Sequence, residues 1–369
     1  MRSIAEAHGL KVHVDTSPHL VRVNERIRIA GELITDDDLR RYVKQVLDAN
    51  NGEPLSFFEG MTIASYLAFA EHSADLTIVE VGLGGRFDST NVIPNPKVCV
   101  ITPIAFDHKE FLGRHLAQIA WEKAGIIRSG AEIVSADQVD DVARTLKAEA
   151  NFRGASLTSC ADAVTVKALE NNRFDFTLDD ISISNAGLAL NGPHQSRNAA
   201  LALLALSKSG IFDLNETASK AGLTSAEWPA RLQTLDAGPI TAALGGRKVL
   251  LDGGHNPHAA AAIHDAMKAD APIPIILGML IRKDATGFLK ALAPIAEQVI
   301  TVPLSGSHNG RNPEELAVIA QGLGVKAQAV SSLDEAISLA TSSQSQTALI
   351  CGSLYLAGDV LKANGQTIS

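Results

Sequence analysis

Two runs constrain the fold of this 369-residue chain most: "LTIVEVGLGG" (76–85) and "KVCVITPI" (97–104). Each is a near-continuous stretch of aliphatic and β-branched residues that runs into a loop. A strand apolar on both sides must be covered on both sides, which is the condition of a parallel sheet between helix layers. "LAQIAWEKAGII" (116–127) then predicts a helix, "AEIVSA" (131–136) a strand and "VDDVARTLKAEANFRG" (139–154) a helix. This alternation is that of βαβ units, and the expected class is α/β. Between Ala163 and Leu190 the pattern changes. "AVTVKAL", "RFDFTL" and "ISISNAGLAL" predict short strands of an antiparallel patch. A helix follows between Pro193 and Gly210.

From near Leu235 a second α/β series begins. Its strands are "KVLLDG", "IPIILGML", "EQVITVPL" and "TALICGSL", separated by helices expected at 258–269, 284–294, 313–322 and 333–341. The polar turn "TSAEWPARLQTLDAG" (224–238) marks the boundary, so two domains are expected, 1–229 and 230–369. The length suffices for two cores. The opening "MRSIAEAHGLKVHVDTSPHL" reads as the end of a helix, a left-handed stop at Gly9, a buried strand "KVHV" and a polar turn.

Composition excludes some functions. A net charge of −9 argues against a general nucleic-acid surface. No apolar run reaches membrane-spanning length, and no signal-peptide pattern opens the chain. The three cysteines are far apart in sequence and read as small buried hydrophobes of a reducing compartment, so a cytoplasmic location is expected.

Polar groups collect where strands end, the edge at which open α/β sheets bind ligands. In "VEVGLGGRFDSTN" (79–91) an apolar strand delivers Glu80, and an unpaired buried carboxylate is costly enough to point to function. Gly82, Gly84 and Gly85 allow a tight turn, and Arg86 and Asp88 can orient a substrate. "ITPIAFDHKEFLG" (101–113) ends a second strand at Asp107 and His108. Glu80 and His108 could share a hard divalent cation such as Mg2+ or Mn2+ that holds phosphates. Lys123 in "EKAGI" lies on an apolar helix, where a lysine ordinarily snorkels to solvent. "LDGGHNPHA" (251–259) ends a strand at Asp252, suited to ribose hydroxyls, and places His255 and Asn256 at a helix start. Gln195, Arg197 and Asn198 open another helix, and Asn198 could read an adenine edge. Each of these also has a plain reading as a turn, a cap or a surface group.

In their order along the chain, several segments resemble the folylpolyglutamate synthase/dihydrofolate synthase family of the Mur ligase superfamily. They are "TSPHLVRVNERIRIAG" (16–31), "SFFEGMT" (56–62), "VEVGLGGRFDSTNV" (79–92), "FDHKEFLG" (106–113), "EKAGIIR" (122–128), "GPHQSRNA" (192–199), "WPARLQ" (228–233), "LDGGHNPHA" and "CGSLYLAGDV" (351–360). The resemblance implies a Mur-ligase-like central nucleotide-binding domain followed by a Rossmann-like α/β domain. It implies an ATP-dependent amide ligase that adds L-glutamate to dihydropteroate, to the γ-carboxylate of tetrahydrofolate, or to both. In such chemistry the substrate carboxylate takes the γ-phosphoryl group, the amine attacks the acyl phosphate, and phosphate leaves. By the same resemblance Ser17, Glu80 and His108 are ligands of one or two Mg2+ ions. Lys123 matches a carbamylated lysine. Asn198, Arg231, Asp252 and His255 match ATP-binding positions, with His255 also in a catalytic role. Ser56, Phe58 and Asp88 match positions around the pterin. The partners implied are small molecules only, and the state implied is a monomer.

Some positions depart from the family pattern. Gly254 stands where alanine is usual, Asp15 where an aromatic is common, and Arg282 in "GMLIRKDA" where an acid is usual. The family's glycine-rich phosphate-binding loop, of pattern G-x-x-x-x-G-K-[ST], has no match in these 369 residues. An N-terminally incomplete first domain, a sheet left partly unpaired and severely reduced ATP turnover are therefore expected of the chain as it stands. Another Mur-superfamily ligase and a non-catalytic folate-binding remnant are the rival readings.

Overall fold

The computed structural model describes residues 1–179, 181–306 and 309–366. The chain divides into two units, Met1–Ala189 with Gln195–Glu227, and Leu190–His194 with Trp228 onward.

In the first unit α1 (Arg2–Ala7) stops before Gly9, whose φ of +86° turns the chain into β1 (Val12–Asp15). β2 (Ile27–Ile29), β3 (Glu32–Leu33), α2 (Asp36–Asn50), α3 (Phe57–Glu71), β4 (Leu76–Val79) and β5 (Val98–Ile101) follow. After α4 (Lys109–Leu112) and α5 (Leu116–Ala124) come β6 (Glu132–Ser135), α6 (Asp140–Arg153), β7 (Ser156–Ser159) and α7 (Cys160–Ala163). β8 (Val164–Ala168), β9 (Arg173–Leu178) and β10 (Ile181–Gly187) form the antiparallel patch expected from their alternation. α8 (Gln195–Ser209) and α9 (Glu216–Thr224) complete the unit.

The remaining strands of the unit lie in two sheets, ordered β3-β2-β1-β4 and β5-β6-β7. β1 runs parallel to β4, and β5, β6 and β7 are parallel to one another. One core serves both sheets. It joins Val12, Val14 and Val134 to Phe176 and to Leu203, Leu204 and Leu206 of α8, with Ile78, Val98 and Val100 packed against it. β4 and β5 are shorter than the runs that announced them. Gly82 and Pro103 fall just beyond their ends, and proline pushes the residue before it into an extended or turn conformation. Nor is β4 covered as its composition predicts: Thr77 is exposed and Leu76, Ile78 and Val79 are half-buried. Among the described residues no strand bonds to its outer edge.

The second unit holds β11 (Gln233–Thr234), α10 (Pro239–Ala243), β12 (Lys248–Leu251), α11 (Pro257–Met267), β13 (Ile273–Leu277) and α12 (Ala285–Leu292). β14 (Ala296–Thr301), α13 (Pro313–Gly322), β15 (Ala327–Ala329), α14 (Leu333–Ala340), β16 (Thr347–Cys351) and α15 (Leu354–Ala363) follow. The sheet order is β11-β12-β16-β13-β14-β15, parallel except for β11. Every residue of β13 and β16 is buried, as strands between two helix layers require. β12 and β13 are consecutive parallel strands that flank β16, so this is where the winding reverses and ligands are usually held. All three cysteines are buried. No helix of the described residues is long and apolar enough to cross a membrane.

Candidate functional site

At the carboxyl end of β4 the chain leaves the sheet with Glu80. This residue is not buried inside an apolar strand, as its neighbours suggested. It lies one position past β4 and is exposed, because β4 ends at Val79. Its N–H still donates to the Asp15 carbonyl (2.9 Å). Its Oε2 accepts the Ser17 N–H (2.9 Å) and the Thr16 hydroxyl. The carboxylate is thus aimed by the turn that follows β1, and Ser17 sits against it. The role of Thr16 went unread, although it adjoins Ser17 in the same motif.

Asp15 ends β1 and is 8% exposed, beneath Ser65 of α3. The Ser65 hydroxyl stands 3.2 Å from Asp15 Oδ1 and 3.0 Å from the Met61 carbonyl. A hydroxyl has one proton and cannot serve both acceptors. The Ser65 hydroxyl therefore donates to Asp15 Oδ1 or to the Met61 carbonyl, one at a time. Burial also pushes the Asp15 carboxyl up to about 7, with Glu80 and Asp88 adding to it and Ser65 and Arg26 opposing it. The folded state therefore holds this proton more tightly than the unfolded chain. The stabilisation is full below the ordinary carboxylate range and is lost as pH rises from about 4 through about 7. In metal-free buffer, Asp15→Asn is expected to match the wild type at pH 4 and to exceed it at pH 8 by on the order of 2–4 kcal/mol. Urea denaturation at the two pH values checks this, and a wild-type advantage at pH 8 contradicts it.

The connection after Glu80 is organised by polar groups. Asp88 Oδ2 accepts the Leu83 N–H (2.8 Å), and Oδ1 accepts the Thr90 N–H (3.0 Å) and hydroxyl (2.6 Å). Arg86 N–H donates to the Glu122 carbonyl (2.8 Å). The Arg128 guanidinium holds Asn91 at both its carbonyl (3.0 Å) and its side-chain oxygen (2.7 Å). Gly82 is required by close approach: a Cβ there would lie 2.3 Å from the tip of the Phe58 ring. Ser56 is the N-cap of α3. Its hydroxyl accepts the Glu59 N–H (3.2 Å), while the Glu59 carboxylate accepts the Ser56 N–H (2.9 Å).

Beyond β5, His108 stands in the left-handed region (φ +48°) before α4, and its N–H donates to Asp107 Oδ1 (2.8 Å). Lys123 is half-buried on α5, within the electrostatic reach of Asp107 and Asp88. Burial lowers its pKa against the pull of both carboxylates. The side chain is thus partly desolvated within the field of two acidic groups. Among the described residues no three or more His, Cys, Asp or Glu side chains are gathered as a metal site. The oxygen and imidazole donors of Ser17, Glu80 and His108 suit a hard cation that keeps waters and phosphate oxygens as its other ligands.

In the second unit Asp252 lies one position past β12 and is 6% exposed. Its Oδ2 accepts the Leu232 N–H (2.8 Å) and its Oδ1 the Gly254 N–H (2.6 Å). Burial pushes its pKa up, opposed by Arg231 and by those two N–H groups. Ala230 and Leu232 both have positive φ (+56° and +46°), so this carboxylate helps hold a strained segment around Arg231. His255 Nδ1 donates to the Gly253 carbonyl (2.9 Å). Asn256 caps α11 through Ala259 N–H (2.9 Å). Asn198, exposed in the first turn of α8, donates to Gln195 Oε1 (3.0 Å).

Residues 231–354 match the family model described as Mur ligase, glutamate ligase domain. The Bacillus subtilis dihydrofolate synthase/folylpolyglutamate synthase is 35% identical over 317 residues, 81% of this chain and 71% of the relative. The chain belongs to the folylpolyglutamate synthase/dihydrofolate synthase family. Folylpolyglutamate and dihydrofolate synthases are ATP-dependent ligases that form a carbon–nitrogen bond to glutamate. Solved family members agree in fold. The Escherichia coli protein in complex with DHPP and ADP superposes with a TM-score of 0.86 at 31% identity, over 98% of this chain and 83% of its own. The Yersinia pestis bifunctional folylpolyglutamate synthase/dihydrofolate synthase, complexed with AMPPNP and Mn ion, gives 0.85 at 29%, over 98% and 84%. The α/β architecture expected of a Mur-ligase-like protein is the one observed.

Proposed function

We propose that the chain ligates L-glutamate to dihydropteroate, to the γ-carboxylate of a tetrahydrofolate, or to both, in the cytoplasm and as a monomer. The observation that carries the reading is the Glu80 carboxylate, exposed at the end of β4 and aimed by the Thr16–Ser17 turn. Ser17, Glu80 and His108 would hold Mg2+, which supplies neutralisation of phosphate charge during acyl activation. Lys123 is the site for carbamylation. Its burial favours the neutral amine that reacts with carbon dioxide, and the product would be a further carboxylate beside Asp107. Asn198, Arg231, Asp252 and His255 would bind ATP. The pterin would lie against Phe58 and donate to Asp88, whose Oδ2 accepts the Leu83 N–H and keeps a lone pair. Ser56 would contribute from the start of α3.

The test is equilibrium binding of dihydropteroate. The wild-type chain is expected to bind, and Gly82→Ala to bind at least about 10-fold more weakly, because the new methyl group displaces the Phe58 ring that the pterin stacks on. No binding by the wild type overturns the substrate reading. Equal binding by Gly82→Ala removes Phe58 from the pterin site.

A further inference from the structure

We propose that Glu149 is a positioning residue: through Arg86 it locks the glycine turn that follows Glu80 onto the last turn of α5, which carries Lys123. Arg86 follows that turn as if free to orient a substrate, but its guanidinium is turned inward. The Arg86 side chain is 14% exposed and pairs at 3.2 Å with Glu149 of α6, itself 11% exposed. Arg86 Cζ lies 3.6 Å from the centroid of the Trp121 ring of α5. Arg86 Nη2 also donates to the Trp121 carbonyl (3.0 Å). One side chain thus joins the turn to both helices.

The main chain of the turn is fitted to the same end of α5. Arg86 N–H donates to the Glu122 carbonyl (2.8 Å). The Asn91 side-chain amide donates to the carbonyls of Arg86 and Gly125, at 3.1 Å each. A Cβ on Gly125 would lie 2.3 Å from Arg86 Cα, and one on Gly85 3.1 Å from the Lys123 carbonyl. Gly84 lies on Leu112, the last residue of α4, and His108 is the N-cap of that helix. The turn therefore borders three segments at once: the end of β4 with Glu80, α4 with His108, and α5 with Lys123.

Glu149 decides whether this fit holds. A guanidinium withdrawn from water needs a carboxylate beside it, and removing that partner leaves an uncompensated buried charge. Arg86 Nε is buried without a hydrogen-bond partner, so the guanidinium depends all the more on Glu149. Glu149 Oε1 also accepts from Arg153 Nε (3.2 Å), whose polar and ring contacts stay within α6. The role rests on the reading of Ser17, Glu80 and His108 as cation ligands, on which Glu149 acts only through the turn.

Titration of the full chain with Mn2+, followed by electron paramagnetic resonance, tests this together with hydrogen exchange at the Arg86 amide. Glu149→Ala is expected to exchange that amide at least about 10-fold faster and to bind Mn2+ at least about 10-fold more weakly. Glu149→Gln keeps an oxygen for Arg86 Nη2 and is expected between Glu149→Ala and the wild type in both measurements. It decides the matter if Glu149→Ala does not fold. Arg153→Ala is expected to change neither. Faster exchange with unchanged Mn2+ affinity overturns the positioning role and leaves a structural clamp. Unchanged exchange overturns the clamp, and equal losses in Arg153→Ala overturn the route through Arg86. A wild type that binds no Mn2+ overturns the cation reading itself, and this role with it.

Discussion

Glu80→Gln is expected to leave folding stability within about 1 kcal/mol and to weaken divalent-cation binding by at least about 10-fold. The side chain is exposed, so exchanging carboxylate for amide disturbs no core packing. The amide oxygen can still accept the Ser17 N–H that the carboxylate accepts now, which keeps the turn after β1 in place. What disappears is the formal negative charge beside Ser17, one of the other proposed ligands. Hard cations depend on anionic oxygen for much of their affinity. Titration with Mn2+ followed by electron paramagnetic resonance reads the loss directly, and thermal denaturation reads the fold. Unchanged Mn2+ affinity in a folded variant would take Glu80 out of the cation site. A comparable loss of stability would mean that Glu80 acts chiefly as the clamp of the Thr16–Ser17 turn.

Asp252→Ala is expected to destabilise the second unit by about 2–6 kcal/mol, with its thermal transition falling by roughly 10 °C or more. Both oxygens of this buried carboxylate accept a main-chain N–H, from Leu232 and Gly254. Alanine leaves both donors without that acceptor, and each such loss costs about 1–3 kcal/mol. The left-handed residues on either side of Arg231 lose a restraint as well. Asp252→Asn is intermediate, since one amide oxygen remains while the amide nitrogen meets an N–H. Calorimetry on the three proteins gives the order wild type, Asn, Ala. A transition for Asp252→Ala within about 1 kcal/mol of the wild type would show that the strained segment holds itself.

Much of this fold can be read from the chain because buried parallel strands are compositionally blunt. "IPIILGML" and "TALICGSL" could only be covered on both faces, and β13 and β16 are. The same bluntness misled at β4, where an aliphatic run says nothing about whether a second neighbour is present. Glu80 was misplaced for a related reason: its flanking valines suggest a strand that in fact stops at Val79. Ser56 carried a legible local signal, since Ser56 and Glu59 have the spacing of a capping box and form one. Asp88 and Thr90, two apart, were also within local reach. The buried contact of Asp15 with Ser65 was not, because Ser65 lies 50 residues away and only the tertiary fold brings it there.

The connection from Glu80 to β5 has a thermodynamic character of its own. It is pinned by Asp88, Asn91 and Arg128, while Phe87 and Val92 stand 85% and 65% exposed. Opening it breaks hydrogen bonds and also uncovers Phe58, Leu112, Ile126 and Trp121, on which Gly82, Gly84, Gly85 and Arg86 lie. The response to urea scales with surface newly exposed. Opening of the loop is therefore expected to shift with urea, through the apolar surface beneath it rather than through its two exposed side chains.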